Sequence, residues 1–286
     1  MTAALHDRRG QVGLALLLGV TIAALAAPLV TGGDPNAAGD VVATRFLAPL
    51  TRDVHGVVHP LGTDRFGRDV WTRLAYGARI SLAVGVLSMI LSVAVGTTIG
   101  AVAGWWRGWV ATVLTGVTDF ALALPRVVLL LLLAALWRPN AGLVVLLLGA
   151  TGWMPVARLV HGEVRALSAR PFVEGAQSLG ARPHRVLWRH VLPNALTPVI
   201  VAAALGVGNA ILLEAGLSYL GLGVQPPTPS WGNMIASGRD TLVNAPWVAT
   251  APGVMLVLVV VGCTLLGDAL RDAIGHRSSV VGRHAL

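Results

Sequence analysis

Six stretches of this chain, roughly 11–30, 80–103, 110–136, 141–160, 196–222 and 247–268, are almost wholly apolar. Each runs for about twenty residues, the length a helix needs to cross the hydrocarbon layer of a bilayer. In lipid every backbone N–H and C=O must find a partner within the protein, and a helix satisfies its own. The runs therefore predict an all-α integral membrane protein with six transmembrane helices. Composition agrees: 55% of residues are hydrophobic, 12% are charged and mean hydropathy is +0.73, which excludes a soluble globular class. The first run follows Arg8 and Arg9, and no A-x-A pattern follows it directly. It reads as a retained anchor and not as a cleaved signal.

The net charge of +8 is carried by arginines scattered among the loops, with no lysine in the chain. No single basic face forms, so nucleic acid is not an expected partner. Membrane topology accounts for the arginines better. With the N-terminus inside, residues 1–10, the loop 161–195 and the tail 271–286 are cytoplasmic, and they collect Arg8, Arg9, Arg165, Arg170, Arg182, Arg185, Arg189, Arg271, Arg277 and Arg283. The segment 31–79 is then extracytoplasmic, where Asp34, Asp40, Asp53, Asp64 and Asp69 dilute the arginines. The expected home is a bacterial inner membrane, spanned several times, with both termini in the cytoplasm. Residues 80–270 form the membrane domain. Cys263, inside the last run, is the lone cysteine and reads as a small buried hydrophobe.

Two polar segments interrupt the apolar pattern. In the outer one, Thr63 or Asp64 is a candidate cap, and Phe66, Val70 and Leu74 recur every four residues, which predicts a short helix lying on the outer interface before the second span. The inner one reads FVEGAQSLGARPHRVLWRHVLPN, Phe172 to Asn194. Pro171 suits a helix start, Gly180 suits the left-handed stop, and Pro183 starts a second helix that Pro193 should end. Arg182, Arg185 and Arg189 share one side of it at spacings of three and four. The result is a helix, turn and helix joined directly to the fifth span.

These residues carry a resemblance. Glu174, Gly175 and Ala176, then Gly180, then His190-Val191-Leu192-Pro193, look like the EAA motif of permease subunits in binding-protein-dependent ABC importers. Gly175 replaces the middle alanine, and His190 stands where an aliphatic residue is usual. HPLGTDRFGRDVWTRLAYGARISL at 59–82, Asp119 through Pro125, and LLEAGLSYLGLGVQPPTPSWGNM at 212–234 resemble the dipeptide, oligopeptide and nickel branch of that family, in the same order. The resemblance covers roughly residues 58–275. It implies the type I ABC importer permease fold, with the 161–195 loop docking in a groove of a cytoplasmic ATPase. It also implies as partners a second homologous permease, two ABC ATPases that bind ATP and magnesium, and an extracytoplasmic substrate-binding protein. The chain itself would need no cofactor or metal and would catalyse no reaction.

Ionisable groups inside the membrane are costly and mark candidate function. Asp119, Arg126 and Glu214 fall within predicted spans. Counting rise per residue puts Arg126 and Glu214 at similar depth, so they should pair or face one polar cavity. Asp119 lies deeper toward the cytoplasm, as a contact inside the bundle. Asn209 and the glycines around it suit close helix approach or a gate, and Trp231 lies in the Pro-rich loop expected at the outer mouth. Asn209, Glu214, Trp231, Arg126 and Asp119 are thus the candidate path or gate.

Other classes fare worse. No G-x-x-x-x-G-K-[ST] phosphate loop occurs, so ATP is hydrolysed elsewhere, and neither H-E-x-x-H nor G-x-S-x-G supports a membrane hydrolase. An ion-coupled carrier calls for repeats that the halves do not show. The function that the resemblance implies is the permease of a di- or oligopeptide importer, with nickel or glutathione-like solutes as alternatives.

Overall fold

A computed structural model describes residues 7–283 apart from 32, 38 and 39, with side chains described as far as Ile274. The helices are α1 (Arg8–Leu25), α2 (Ala27–Thr31), α3 (Val41–Thr44), α4 (Val70–Trp105), α5 (Trp109–Ala123), α6 (Arg126–Ala135), α7 (Ala141–Ser168), α8 (Pro171–Ser178), α9 (Pro183–Val186), α10 (Leu192–Tyr219), α11 (Trp231–Gly238) and α12 (Trp247–Arg283). Two short strands, β1 (Thr51–Arg52) and β2 (Val58–His59), form an antiparallel hairpin with Thr51 opposite His59. Among the described residues five helices are long and apolar enough to cross a membrane, and six spans result if α5 and α6 count as one. The tail residues Arg277 and Arg283, used above for orientation, have side chains outside the described residues.

The third run is not one straight helix. α5 and α6 meet at an angle of 84°. Pro125 causes the break, because its ring disfavours the helical conformation at the residue before it. Leu124 accordingly takes ψ 132°, and Pro125 caps α6 with φ −61° and ψ 106°. α6 then packs into the bundle through Leu130 and Ala134, whereas Thr118 is the buried residue of α5.

α4 and α7 lie closest together, and the reason is a row of small residues. A Cβ at Gly96, Gly100 or Gly104 would run into the carbonyls of Trp153, Ala157 and His161 on α7. With hydrogens there instead, the two backbones approach and gain dispersion contacts that lipid cannot offer. The sequence reading placed its close-packing glycines on the fifth span. There Gly206 meets Met89 and Gly208 meets Cys263, while Gly216 faces open space.

The outer segment also departs from expectation. No helix spans 63–69, and α4 starts at Val70, capped by Asp69, whose Oδ2 accepts from Thr72 N at 2.7 Å. Gly67 takes φ +72°, which a right-handed helix does not contain. Asp64 is bound up in a turn, accepting from the N–H groups of Phe66 and Arg68 and pairing with the Arg68 guanidinium at 2.6 Å. The amphipathic spacing of Phe66, Val70 and Leu74 is thus a coincidence of a turn followed by a helix. Arg73 is buried and donates to Pro35 O at 2.9 Å, which ties the outer segment to the start of α4. Trp247 Nε1 donates to Thr63 O at 3.2 Å and ties it to α12.

Candidate functional site

The loop between α7 and α10 folds largely as its prolines and glycine dictate. Pro171 opens α8, and Gly180 closes it with φ +82°. Ala181 N donates to Ala176 O at 3.1 Å and Gly180 N to Gln177 O at 2.9 Å, the paired bonds of a Schellman turn. Pro183 opens α9. Pro193, however, does not end the second helix. Leu187–Val191 forms a π turn that runs straight into α10, so the helical track is unbroken from Pro183 to Tyr219. Proline lacks an N–H and crowds the carbonyl four residues earlier, and a locally widened turn accommodates both. Asn194 Nδ2 donates to His190 O at 2.6 Å and satisfies one carbonyl of that turn.

One edge of this loop is anchored and the other is open. Val173, Val186, Leu187, Val191 and Leu192 are buried against Val156, Val160 and Val164 of α7 and Ala101 of α4. Each such burial stabilises by about 1.5–3 kcal/mol, so the loop moves with the bundle and not independently of it. On the open edge Glu174, Gly175, Gly180, Arg182, Arg185, Arg189, His190 and Pro193 are all exposed, and Ala176 is partly buried. Leu179 is 91% exposed, with Phe172 and Trp188 also on the outside. Apolar side chains beside arginines that form no ion pair among the described residues make a surface suited to a protein partner.

The intramembrane residues are arranged differently from expectation. Arg126 and Glu214 do not pair. Glu214 is fully buried, with Oε2 accepting from Ser81 Oγ at 2.9 Å and Oε1 from Ser218 Oγ at 2.7 Å. The two serines accept in turn, Ser81 from Trp231 N at 3.3 Å and Ser218 from Val224 N at 2.9 Å. Glu214 thereby joins α4, α10, the following loop and α11 in one network. Trp231 is likewise fully buried, its Nε1 donating to Leu74 O at 3.2 Å, so it is a packing residue and not a residue of an outer mouth. The capping box of Ser230 and Asn233 turns it inward at the start of α11.

Arg126 instead shares a cavity of about 160 Å³ with Asn209, between α4, α6, α7 and α10. Ser88, Ser92, Gly152 and Pro155 also line it. Glu214 is not part of this lining; the shared cavity that the sequence suggested brings Arg126 to Asn209. Asp119 is no bundle-internal contact either. It is largely exposed and pairs with Arg158 at 3.1 Å beside a second cavity of about 200 Å³ lined by Thr115, Thr118 and His161. The 84° break accounts for this, because it separates the Asp119 face of α5 from the buried face of α6.

Ser81, Ser88, Ser92 and Ser218 went unnoticed in the sequence reading. Ser81, Ser88 and Ser92 recur at steps of seven and four, one stripe of a helix, and that stripe was the available signal. Each lies where α4 meets another helix, and all three are buried.

The family profile described as binding-protein-dependent transport system inner membrane component matches residues 96–280. The chain belongs to this family. Among similar inner membrane components, a putative peptide transport system permease protein of Brucella suis biovar 1 is 39% identical over 278 residues, covering 97% of this chain and 91% of that protein. The dipeptide transport system permease protein DppC of Alkalihalophilus pseudofirmus is 36% identical over 263 residues, covering 92% and 84%. In structure, the permease resembles a chain of the inward-facing MetNI methionine ABC transporter. The TM-score is 0.58 at 18% identity, over 71% of this chain and 96% of that one. That likeness establishes the type I ABC importer permease fold, and the chain is an inner membrane permease of that kind.

Proposed function

We propose that this permease forms half of the translocation path of an ATP-driven importer of di- or oligopeptides, beside a second homologous permease. Two ATPase subunits, which bind ATP and magnesium, lie beneath the 161–195 loop in the cytoplasm, and a substrate-binding protein docks on the opposite face. The termini are cytoplasmic. The observation that carries this reading is the single helical track from Pro183 to Tyr219. One end holds the exposed surface of Arg182, Arg185 and Arg189, and farther along Asn209 lines the polar cavity. A push on the loop therefore reaches the cavity without an intervening break. The π turn, Pro193 and Pro198 are the places where α10 can bend as the bundle switches between inward and outward access. The printed names of the similar permeases support peptides as substrate class. No step of chemistry is assigned to this chain; the ATPases perform the hydrolysis.

The test is co-purification of tagged protein with its native neighbours in mild detergent, followed by mass spectrometry, for the wild type and Gly180→Arg. Nothing lies within 4 Å of a Cβ at Gly180, so the new side chain leaves the backbone into open space, while the positive φ makes the turn unfavourable for it. ATPase subunits should accompany the wild type and fall away from a mutant of unchanged yield. A wild-type chain that emerges alone and moves solute under an ion gradient would refute the reading.

A further inference from the structure

We infer that the Arg126 cavity is a subsite for a carboxylate of the transported solute, the C-terminal carboxylate if that solute is a peptide. This rests on the peptide reading above. Arg126 supplies the only formal charge around the cavity, and no acidic residue lines it. Its guanidinium has five N–H donors in a fixed fork. Two of them make long contacts, Nε to Thr151 Oγ1 at 3.5 Å and Nη2 to Leu148 O at 3.3 Å. Among the described residues no carboxylate pairs with the rest. A guanidinium held within a membrane bundle without a counter-charge is costly, and binding an anion there relieves the cost.

A second observation points to the same ligand. Ser88 Oγ is completely buried, lines this cavity and has no hydrogen-bond partner. A hydroxyl lining the same cavity can add a neutral hydrogen bond to a carboxylate that the guanidinium holds. Asn209, from the facing helix, adds an amide that can donate to the second carboxylate oxygen or accept from a neighbouring N–H. Gly152 keeps the space open, since a Cβ there would meet Ser92 Oγ and come within 3.1 Å of Arg126 Nη2. The volume of about 160 Å³ admits a carboxylate with its α-carbon and the groups next to it.

The experiment uses the whole transporter with its binding protein, in proteoliposomes of zwitterionic lipid. It compares uptake of one dipeptide as free acid and as C-terminal amide, for wild type, Arg126→Gln and Arg126→Lys. Any preference of the binding protein is common to all three and cancels when their acid-to-amide ratios are compared. Arg126→Gln should lower the ratio by roughly tenfold or more, the scale of one lost charge-assisted hydrogen bond, and Arg126→Lys should restore part of it. An unchanged ratio in an assembled Arg126→Gln transporter overturns the inference while leaving the peptide reading intact. Equal loss of acid and amide uptake also overturns it, and marks Arg126 as a packing group or as the counter-charge of an acid on the neighbouring subunit. A wild type that moves neither peptide overturns both readings together.

Discussion

Replacing Glu214 separates a structural role from a transport role. In Glu214→Ala the hydroxyls of Ser81 and Ser218 lose their acceptor at sites that are 0% and 3% exposed, and each must still accept from a backbone N–H. A buried polar group left unsatisfied costs about 1–3 kcal/mol, so the pair costs about 2–6 kcal/mol. The vacated volume beside Ile211 and Trp231 adds to it in proportion to how little the surroundings relax. Glu214→Gln keeps the shape and one acceptor oxygen, but its amide faces a hydroxyl that already donates, so about 1–3 kcal/mol is expected from one mismatched donor. Ser218→Ala in the Glu214→Ala background should cost less than in the wild type, because its bond to Glu214 is already gone and only the acceptor of Val224 N is lost. Thermal unfolding of the detergent-solubilised complex, followed for the three single mutants and the double, reads all three quantities. Wild-type melting in Glu214→Ala, or additive losses in the double mutant, would refute the network. Normal stability with altered substrate preference would return Glu214 to the transport path.

Two further outcomes follow from the geometry. Gly100→Val places a branched side chain against the Ala157 carbonyl and Val160, and should lower stability by about 1–3 kcal/mol or more through overpacking, whereas Gly116→Val, with nothing within 4 Å of its Cβ, should leave the melt unchanged. In the outer hairpin, burial opposes the charge of Asp53, but the N–H groups of Val57 and His55 and the charges of His59 and His55 outweigh it and hold the carboxyl below its ordinary 3.8. A carboxyl depressed in the folded state stabilises above its unfolded value, and that contribution fades as pH falls through the folded one. The melting difference between wild type and Asp53→Asn should therefore be full near about pH 6 and disappear once pH drops well below 3.8; a difference that grows on acidification would contradict this.

Local signals carried over well where a single residue dictates backbone geometry. Pro171, Gly180 and Pro183 place a start, a stop and a second start in the loop through restrictions that act within one or two residues, and the structure obeys all three. Pro193 did not stop its helix, because a π turn absorbed the clash and the buried Val191 and Leu192 kept the track packed. The same amphipathic spacing that reads as an interfacial helix at 66–74 was cut by Gly67, and the segment is held in place by contacts that reach residues 35 and 247.

By itself the amino-acid sequence determined that this protein lives in a membrane, how many apolar spans it has and where its exposed loop lies. Those follow from hydropathy and from backbone restrictions that are local to each residue. Only the tertiary structure decided which polar groups meet. Glu214 finds Ser81, 133 positions away, and Arg126 meets a cavity with Asn209 instead of that glutamate. Depth along a helix can be counted from the chain, but which way a side chain faces within the bundle cannot. The 84° bend at Pro125 and the glycine-lined approach of α4 to α7 set those rotations, and with them the chemistry of the interior.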